Sequence, residues 1–425
     1  MIIQPVNSLK GKINIPGDKS ISHRAIMFGA LAKGTTKITG FLMGEDCLST
    51  IRCFRQMGIE ITINKTLVIV EGKGLYGLKK PEQDLYVGNS GTTLRLMSGI
   101  LAPQNFDCVL TGDDSILKRP MKRILEPLTK MGANIVSVNK NDKAPLKITG
   151  SKLNNMTYYS QIASAQVKSC ILLASLYTNG ETKIVEPVLS RNHTEIMLDN
   201  FGGNITTNDT TIICNPVNEL YARDVTIPGD ISSAAFFIVA GLITKGSELI
   251  IENVGINPTR DGIIRVLKNM NGNIELLNKR DYNGELVADI YVKSSKLHGT
   301  IVDKELIPSL IDEIPIIAVA ASCAEGKTII KDAAELKVKE SNRIETMVSE
   351  LKKMNVNITS TDDGMIISNS PNIIGSKVMS YDDHRVAMSL AIAGLVATGE
   401  TKINNSNCIN ISFPGFFDLI QSIKN

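Results

Sequence analysis

Cations gather in this sequence where helices are about to begin. In "PGDKSISHR" (16–24), Asp18 and Ser20 can cap a helix whose first turns carry Lys19 and Arg24. In "LKRPMKR" (117–123), Lys118 and Arg119 stand before Pro120, a good first helical residue. "LKVKESNRIETM" (336–347) places Lys339 and Arg343 at i and i+4 of a helical period with Glu340 beside them, and "YDDHRVAM" (381–388) puts Asp383, His384 and Arg385 at another helix start. The positive end of the helix dipole disfavours such cations by up to about 1 kcal/mol unless an anion offsets it. Exposed amides at the same ends attract phosphate and carboxylate groups. The chemistry this pattern suits is the holding of a small, multiply anionic ligand. Asp312, which stands with Glu313 ahead of the apolar "IPIIAVAASCA", and Glu340 add carboxylates for acid–base work, because partial desolvation tunes a carboxyl for proton transfer.

Each motif also has a plainer reading. The first is explained as a capped helix with two solvated bases, Asp312 as an N-cap, Lys339 and Arg343 as a solvated face, and His384 as a cap or surface residue. "GNSGTTLR" (88–95) offers the amides of Gly91 and Thr92 to an anion, or simply caps a helix. "SAQVKS" (164–169) and "SRNHTE" (190–195) read equally as capping. "PGDKS" misses the P-loop because one residue separates glycine from lysine, which argues against a nucleotide site. "GKGLYG" (72–77) matches GxGxxG literally but opens no helix, and reads as a turn.

The elements that must position these groups repeat. Six times an Ala/Leu/Ile-rich helical segment runs through a turn into a strand, with turns near Gly34, Asn105, Gly180, Gly246, Gly326 and Gly399. Between them a second amphipathic helix ends in "RQMGIEI", "TKMGANI", "DNFGGNI", "KNMNGNI" or "KKMNVNI", where Gly or Asn stops the helix and alternating strands follow. Each repeat reads βαβαββ. The sixth lacks its final strands, and the strand-like residues 2–15 are expected to supply them. Two α/β domains result, 17–226 and 1–16 plus 227–425, crossed by the chain near 15–18 and 227–230, where "IPGD" occurs twice. The first copy is armed with Lys19, Ser20 and Arg24; the second, "IPGDISSAAFF", is expected to carry only the crossing. Ligands favour inter-domain clefts, so the cations of both halves are expected to converge on one.

Composition sets the boundaries of function. With 46 basic and 43 acidic residues, net charge +3 and 4% aromatics, the chain lacks the basic, aromatic stripe of an RNA-binding protein. Seven scattered cysteines without a CxxC pair indicate neither a disulfide framework nor a zinc site. No apolar run is long enough to span a bilayer, and the first residues lack signal-peptide order; a reducing cytoplasm is expected.

The ordered set "PGDKSISHRA", "GNSGTTLR", "KRPM", "SAQVKS", "SRNHTE", "PGDISSAAFF", "IDEIP", "VKESNRI" and "DHRVAM" resembles the 5-enolpyruvylshikimate-3-phosphate synthases, or 3-phosphoshikimate 1-carboxyvinyltransferases, over the full chain. The resemblance implies two inside-out α/β barrels of three βαβαββ units each. It implies transfer of the enolpyruvyl group of phosphoenolpyruvate to the 5-hydroxyl of shikimate 3-phosphate, with phosphate released. Neither metal nor organic cofactor is implied, and the partners are two small molecules, not nucleic acid or membrane; a monomer is expected. Carried over by motif, Lys19, Ser20, Arg24, Ser164, Gln166, Ser190, Arg191, Asp312 and Lys339 would bind shikimate 3-phosphate. Lys19, Gly91, Arg119, Gln166, Arg343 and Arg385 would bind phosphoenolpyruvate. Asp312 would accept the hydroxyl proton and Glu340 would protonate the methylene carbon, with Lys19 among the catalytic groups. Asn342 stands where well-known members have Asp, and Ile411 where some have a lysine, so neither position inherits a role. Gly91 is the glycine kept by glyphosate-sensitive members, and sensitivity is expected. The related transferase acting on UDP-N-acetylglucosamine is disfavoured by Lys19-Ser20 and by "SILKRPM", which lacks its loop cysteine. A non-catalytic anion-binding protein is the remaining alternative.

Overall fold

The structure, a computed structural model, describes residues 1–425. It is a mixed α/β protein that divides into two compact units, Gly17–Ile227 with Tyr282–Glu285, and Met1–Pro16 with Pro228–Asp281 and Leu286–Asn425.

The first unit contains helices α1 (Lys19–Leu31), α2 (Glu45–Gln56), α3 (Gly91–Leu101), α4 (Lys122–Lys130), α5 (Ala165–Ser175) and α6 (His193–Asn200). α1, α3 and α5 are buried around almost their whole circumference, so they lie inside the core rather than on it. α2 and α4 bury one face only. α3 and α5 approach until a Cβ on Gly99 would stand 2.1 Å from the Cys170 carbonyl oxygen, so only glycine fits there. Three sheets surround these helices, ordered 220–221/32–39/67–73/60–64, 85–86/107–111/146–149/134–137 and 157–159/182–185/211–215/204–208. In each, a short strand pairs parallel with the second, and the remaining two pair antiparallel.

The second unit has α7 (Ile231–Ile243), α8 (Gly262–Asn269), α9 (Ile307–Leu310), α10 (Ile314–Ser322), α11 (Arg343–Lys353), α12 (His384–Val396) and α13 (Phe416–Ser422). Here α7, α10 and α12 are the helices buried on all sides. Its sheets run 273–282/285–293/248–255/10–14, 301–302/327–330/365–368/358–360 and 2–3/401–404/377–379. The two N-terminal strands part company. Ile2–Ile3 pairs antiparallel with Thr401–Lys402, whereas Lys10–Asn14 runs parallel to Glu248–Glu252 in a different sheet. The expectation that residues 2–15 would all complete the sixth repeat is corrected for Lys10–Asn14, whose backbone donors and acceptors are taken up by Glu248–Glu252.

Two local expectations also change. α4 starts at Lys122, with Pro120 outside it in an isolated bridge to Lys143. Lys339 and Arg343 do not share a helix face: a 3-10 turn ends at Val338, and α11 begins only at Arg343, where the Asn342 side chain accepts from the Glu345 amide.

Candidate active site

In the first unit, Asp18 caps α1 by accepting from the Ile21 amide at 2.9 Å, so Lys19 leaves the very start of the helix and reaches Asp46 at 3.1 Å. Ser20 turns its carbonyl to Arg24, whose NH1 donates to it at 2.9 Å. The other Arg24 nitrogens bind Thr194 Oγ1 at 2.6 Å and Ser169 Oγ at 2.8 Å, so this one guanidinium ties α1 to α5 and α6. Burial pulls Arg24 down to about 10, against Glu195 and Asp18, and Arg191 is close enough to repel it further. Two guanidiniums repelling across a small space is the arrangement that an added anion relieves.

α3 and α5 position the next groups. Ser90 caps α3 and accepts from the Thr93 amide at 3.1 Å, which presents Gly91 at the first turn. Arg119 is held beside it by Asn89 Oδ1 at 2.8 Å and Ser115 Oγ at 3.4 Å. Gln166 accepts from Arg95 through Oε1 and donates to Thr92 Oγ1 at 3.1 Å, so its amide orientation is fixed at both ends. Ser164 precedes α5 and Asn192 precedes α6, and neither side chain caps its helix, so capping alone does not account for these two motifs. Ser190 gives its amide to Glu186 at 3.1 Å and its carbonyl to Lys168, while its buried hydroxyl makes no hydrogen bond.

Lys168, Glu186 and Glu195 form a buried cluster, with Lys168 Nζ 2.9 Å from Glu186 and 2.7 Å from Glu195. Sequence reading gave none of these a role. The available signal was a lysine inside "VKSCILLAS", where no polar face exists to take it. His193, 2.6 Å from Glu285, was equally out of reach, since its partner lies 92 residues on. His23 is no ligand: wholly buried, it shares Nδ1 with Thr50 Oγ1 at 2.7 Å, and burial lowers it to about 3.

In the second unit, Arg343 is the centre of charge. It is 1% exposed and meets three carboxylates: Asp383 at 2.8 Å, Glu340 at 2.6 Å and Asp312 at 3.5 Å. Burial alone would lower its pKa, but Asp383, Glu340 and Asp312 together hold it above the usual arginine value. Burial would raise Asp383, and Arg343 overrides it, keeping that carboxyl below its ordinary value. A solvated charged face is therefore excluded for Arg343. Asp312 also lies 3.6 Å from Lys339, and it is not a helix cap: Glu313 occupies the cap position of α10. Asp383 caps α12, accepting from the Arg385 amide at 2.9 Å, and the Arg385 side chain turns back to the Asp312 carbonyl at 3.0 Å. The second unit thus gathers Asp312, Lys339, Glu340, Arg343 and Arg385, carboxylates and cations alternating within hydrogen-bond or ion-pair distance. Such a set can bind an anion and move protons beside it.

The chain matches the family described as EPSP synthase (3-phosphoshikimate 1-carboxyvinyltransferase) over residues 3–420. It is 55% identical over 422 residues to the 3-phosphoshikimate 1-carboxyvinyltransferase of Brevibacillus brevis, covering 99% of each chain. It is 57% identical over 409 residues to the protein of that name from a Thermoanaerobacter species, covering 96% of each. A solved EPSP synthase from Acinetobacter baumannii superposes with a TM-score of 0.90 at 46% identity, over 100% of this chain and 98% of that one. With capped helices presenting cations in one unit, acid–base carboxylates around Arg343 in the other, and likeness along the whole length, the chain belongs to the EPSP synthase family.

Proposed function

We propose that the protein transfers the enolpyruvyl group of phosphoenolpyruvate to the 5-hydroxyl of shikimate 3-phosphate and releases phosphate, in the shikimate route to aromatic amino acids. The observation that carries this is the 55% identity over 99% of the chain to a 3-phosphoshikimate 1-carboxyvinyltransferase. The residue geometry is consistent with it. Lys19, Ser20, Arg24, Ser164, Gln166, Ser190, Arg191, Asp312 and Lys339 take shikimate 3-phosphate. Lys19, Gly91, Arg119, Gln166, Arg343 and Arg385 take phosphoenolpyruvate.

Two polyanions repel each other, so these cations must offset that repulsion before chemistry can start. Asp312 accepts the proton of the 5-hydroxyl as its oxygen bonds to C2 of phosphoenolpyruvate, and Glu340 gives a proton to C3. Loss of a proton from C3 and departure of phosphate then restore the double bond in the product. No metal or cofactor takes part. The layout is two inside-out barrels of three βαβαββ units, 17–226 and 1–16 plus 227–425, with chain crossings near 15–18 and 227–230. The protein works as a cytoplasmic monomer; no helix in it is long and apolar enough to cross a membrane.

The test is phosphate release from phosphoenolpyruvate, with shikimate 3-phosphate present, absent, or replaced by UDP-N-acetylglucosamine. Release with shikimate 3-phosphate alone supports the assignment. Release with the nucleotide sugar, or with neither acceptor, defeats it.

A further inference from the structure

We infer that Glu313 is a positioning residue, which fixes the Arg385 guanidinium and is itself fixed by Ser232 and Arg260. This rests on the reading of Arg385 as a phosphoenolpyruvate ligand and extends it to three residues outside the family motifs' assigned roles.

Glu313 stands at the start of α10, and its side chain is 0% exposed. A carboxylate so deeply buried is tolerated only when paired and hydrogen-bonded. Its Oε1 has both kinds of partner: the Ser232 hydroxyl donates to it, and Arg385 NH1 lies 3.4 Å away. Ser232 is in turn held by Arg260, whose NH2 donates to its Oγ at 2.6 Å and lies 3.5 Å from Asp230. Asp230 closes the series by capping α7 through the Ser232 amide at 2.9 Å. Arg260 and Arg385 against Asp230 and Glu313 make a buried set of two cations and two anions, so the network is neutral as built.

Its effect falls on one face of Arg385. NH1 is engaged twice within the chain, by Glu313 and by the Asp312 carbonyl at 3.0 Å, whereas Nε and NH2 donate to no protein atom. A guanidinium pinned along one nitrogen and open along the opposite edge is prepared for a bidentate anion. The geometry also separates two neighbouring carboxylates. Glu313 turns to Ser232 and Arg385, and Asp312 turns to Lys339 and Arg343. The expectation that the second "IPGD" copy carries only a chain crossing is corrected: its Asp230 and Ser232 anchor the support of Arg385.

The experiment compares Glu313→Gln, Ser232→Ala and Arg385→Lys by steady-state kinetics, with thermal melting of each. Glu313→Gln is expected to raise KM for phosphoenolpyruvate about tenfold and Ser232→Ala about threefold, with KM for shikimate 3-phosphate within twofold of wild type. Arg385→Lys should raise the same KM by at least as much. Ser232→Ala keeps every charge, so it reports even where Glu313→Gln folds poorly. If Arg385→Lys alone raises KM for phosphoenolpyruvate, the positioning role is overturned while the ligand assignment stands. If no variant raises it, the assignment of Arg385 fails and the inference with it. If both KM values rise together in Glu313→Gln and Ser232→Ala, the network is merely structural and the inference fails.

Discussion

A methyl group built on Gly91 would stand 3.3 Å from a guanidinium nitrogen of Arg119 and 3.3 Å from one of Arg95. Neither arginine is loose: Arg119 is held by Asn89, and Arg95 by Gln166. Gly91→Ala must therefore shift both cations by a few tenths of an ångström and leave the helix otherwise intact. KM for phosphoenolpyruvate should rise several-fold in that variant, with little change for shikimate 3-phosphate and a melting temperature close to wild type. Inhibition by glyphosate, expected for the wild type, should weaken in the same variant; an unchanged inhibition curve would remove Gly91 from the site. Asp312 offers a different test, because amide replacement keeps its size and abolishes its basicity. Asp312→Asn should lose about 10²- to 10⁴-fold in turnover while retaining substrate binding by calorimetry. Loss of binding with the turnover would instead make Asp312 a ligand only. The sequence made these positions visible because each lies at a helix start, where residue type and local geometry are tightly linked. It did not reveal Lys168 or Glu313, whose roles depend on partners 18 to 81 residues away, on other elements.

Among the elements, α1, α2 and α3 are joined by a buried chain of hydroxyls ending on an imidazole. His23 meets Thr50 at 2.7 Å, Thr50 meets Thr93 at 2.8 Å, and Thr93 donates to the α3 cap Ser90 at 2.7 Å. Burial holds His23 down to about 3, with Lys19 and Arg24 acting in the same direction and Asp46 and Asp18 against it. The native state therefore keeps this imidazole neutral where the unfolded chain, with an ordinary value near 6.5, takes up a proton. Its contribution is complete above about pH 6.5 and is lost progressively as pH falls toward 3, by about 1.4 kcal/mol per pH unit. Denaturant titrations should show wild type losing its advantage over His23→Asn as pH falls from 7 to 4; parallel curves would contradict this. At α11 the Asn342 cap should be worth about 0.5–1 kcal/mol, measured as the destabilisation of Asn342→Ala at pH 7. An aspartate in this place would cap equally well, so the asparagine preserves the element without its charge. The Asp18 cap of α1 was legible in the sequence. The break between Lys339 and Arg343 was not, because their spacing matches a helical period while the intervening "ESN" favours a turn only weakly.

For the molecule entire, the mixed α/β class was readable because the helices buried on all sides, such as α7 with "ISSAAFFIVAGLI", differ so clearly from the amphipathic ones. Sheet membership was harder: strand type follows from alternation, but which sheet receives Lys10–Asn14 depends on long-range pairing that alternation does not encode. The cysteines give a global check on packing. Six of the seven are buried, Cys323 partly so, and burial raises the Cys53, Cys108 and Cys170 thiols to about 12 and those of Cys214, Cys323 and Cys408 to about 11. At pH 7.5 the folded protein should react with Ellman's reagent far more slowly than the unfolded chain, which should release seven equivalents; rapid reaction of several thiols without denaturant would show the packing to be looser. The antiparallel pairing of Ile3 with Thr401 has a consequence for biosynthesis. Residues 17–227 can complete their three sheets while the ribosome is still translating the remainder. Ile2 and Ile3 leave the exit tunnel ahead of those residues yet wait for a partner some 400 residues later, which at ~5–20 residues per second is about 20–80 s. Over that interval an apolar strand with open hydrogen-bonding edges is exposed to chaperones, and slowing translation late in the message would lengthen its exposure without altering a single native contact.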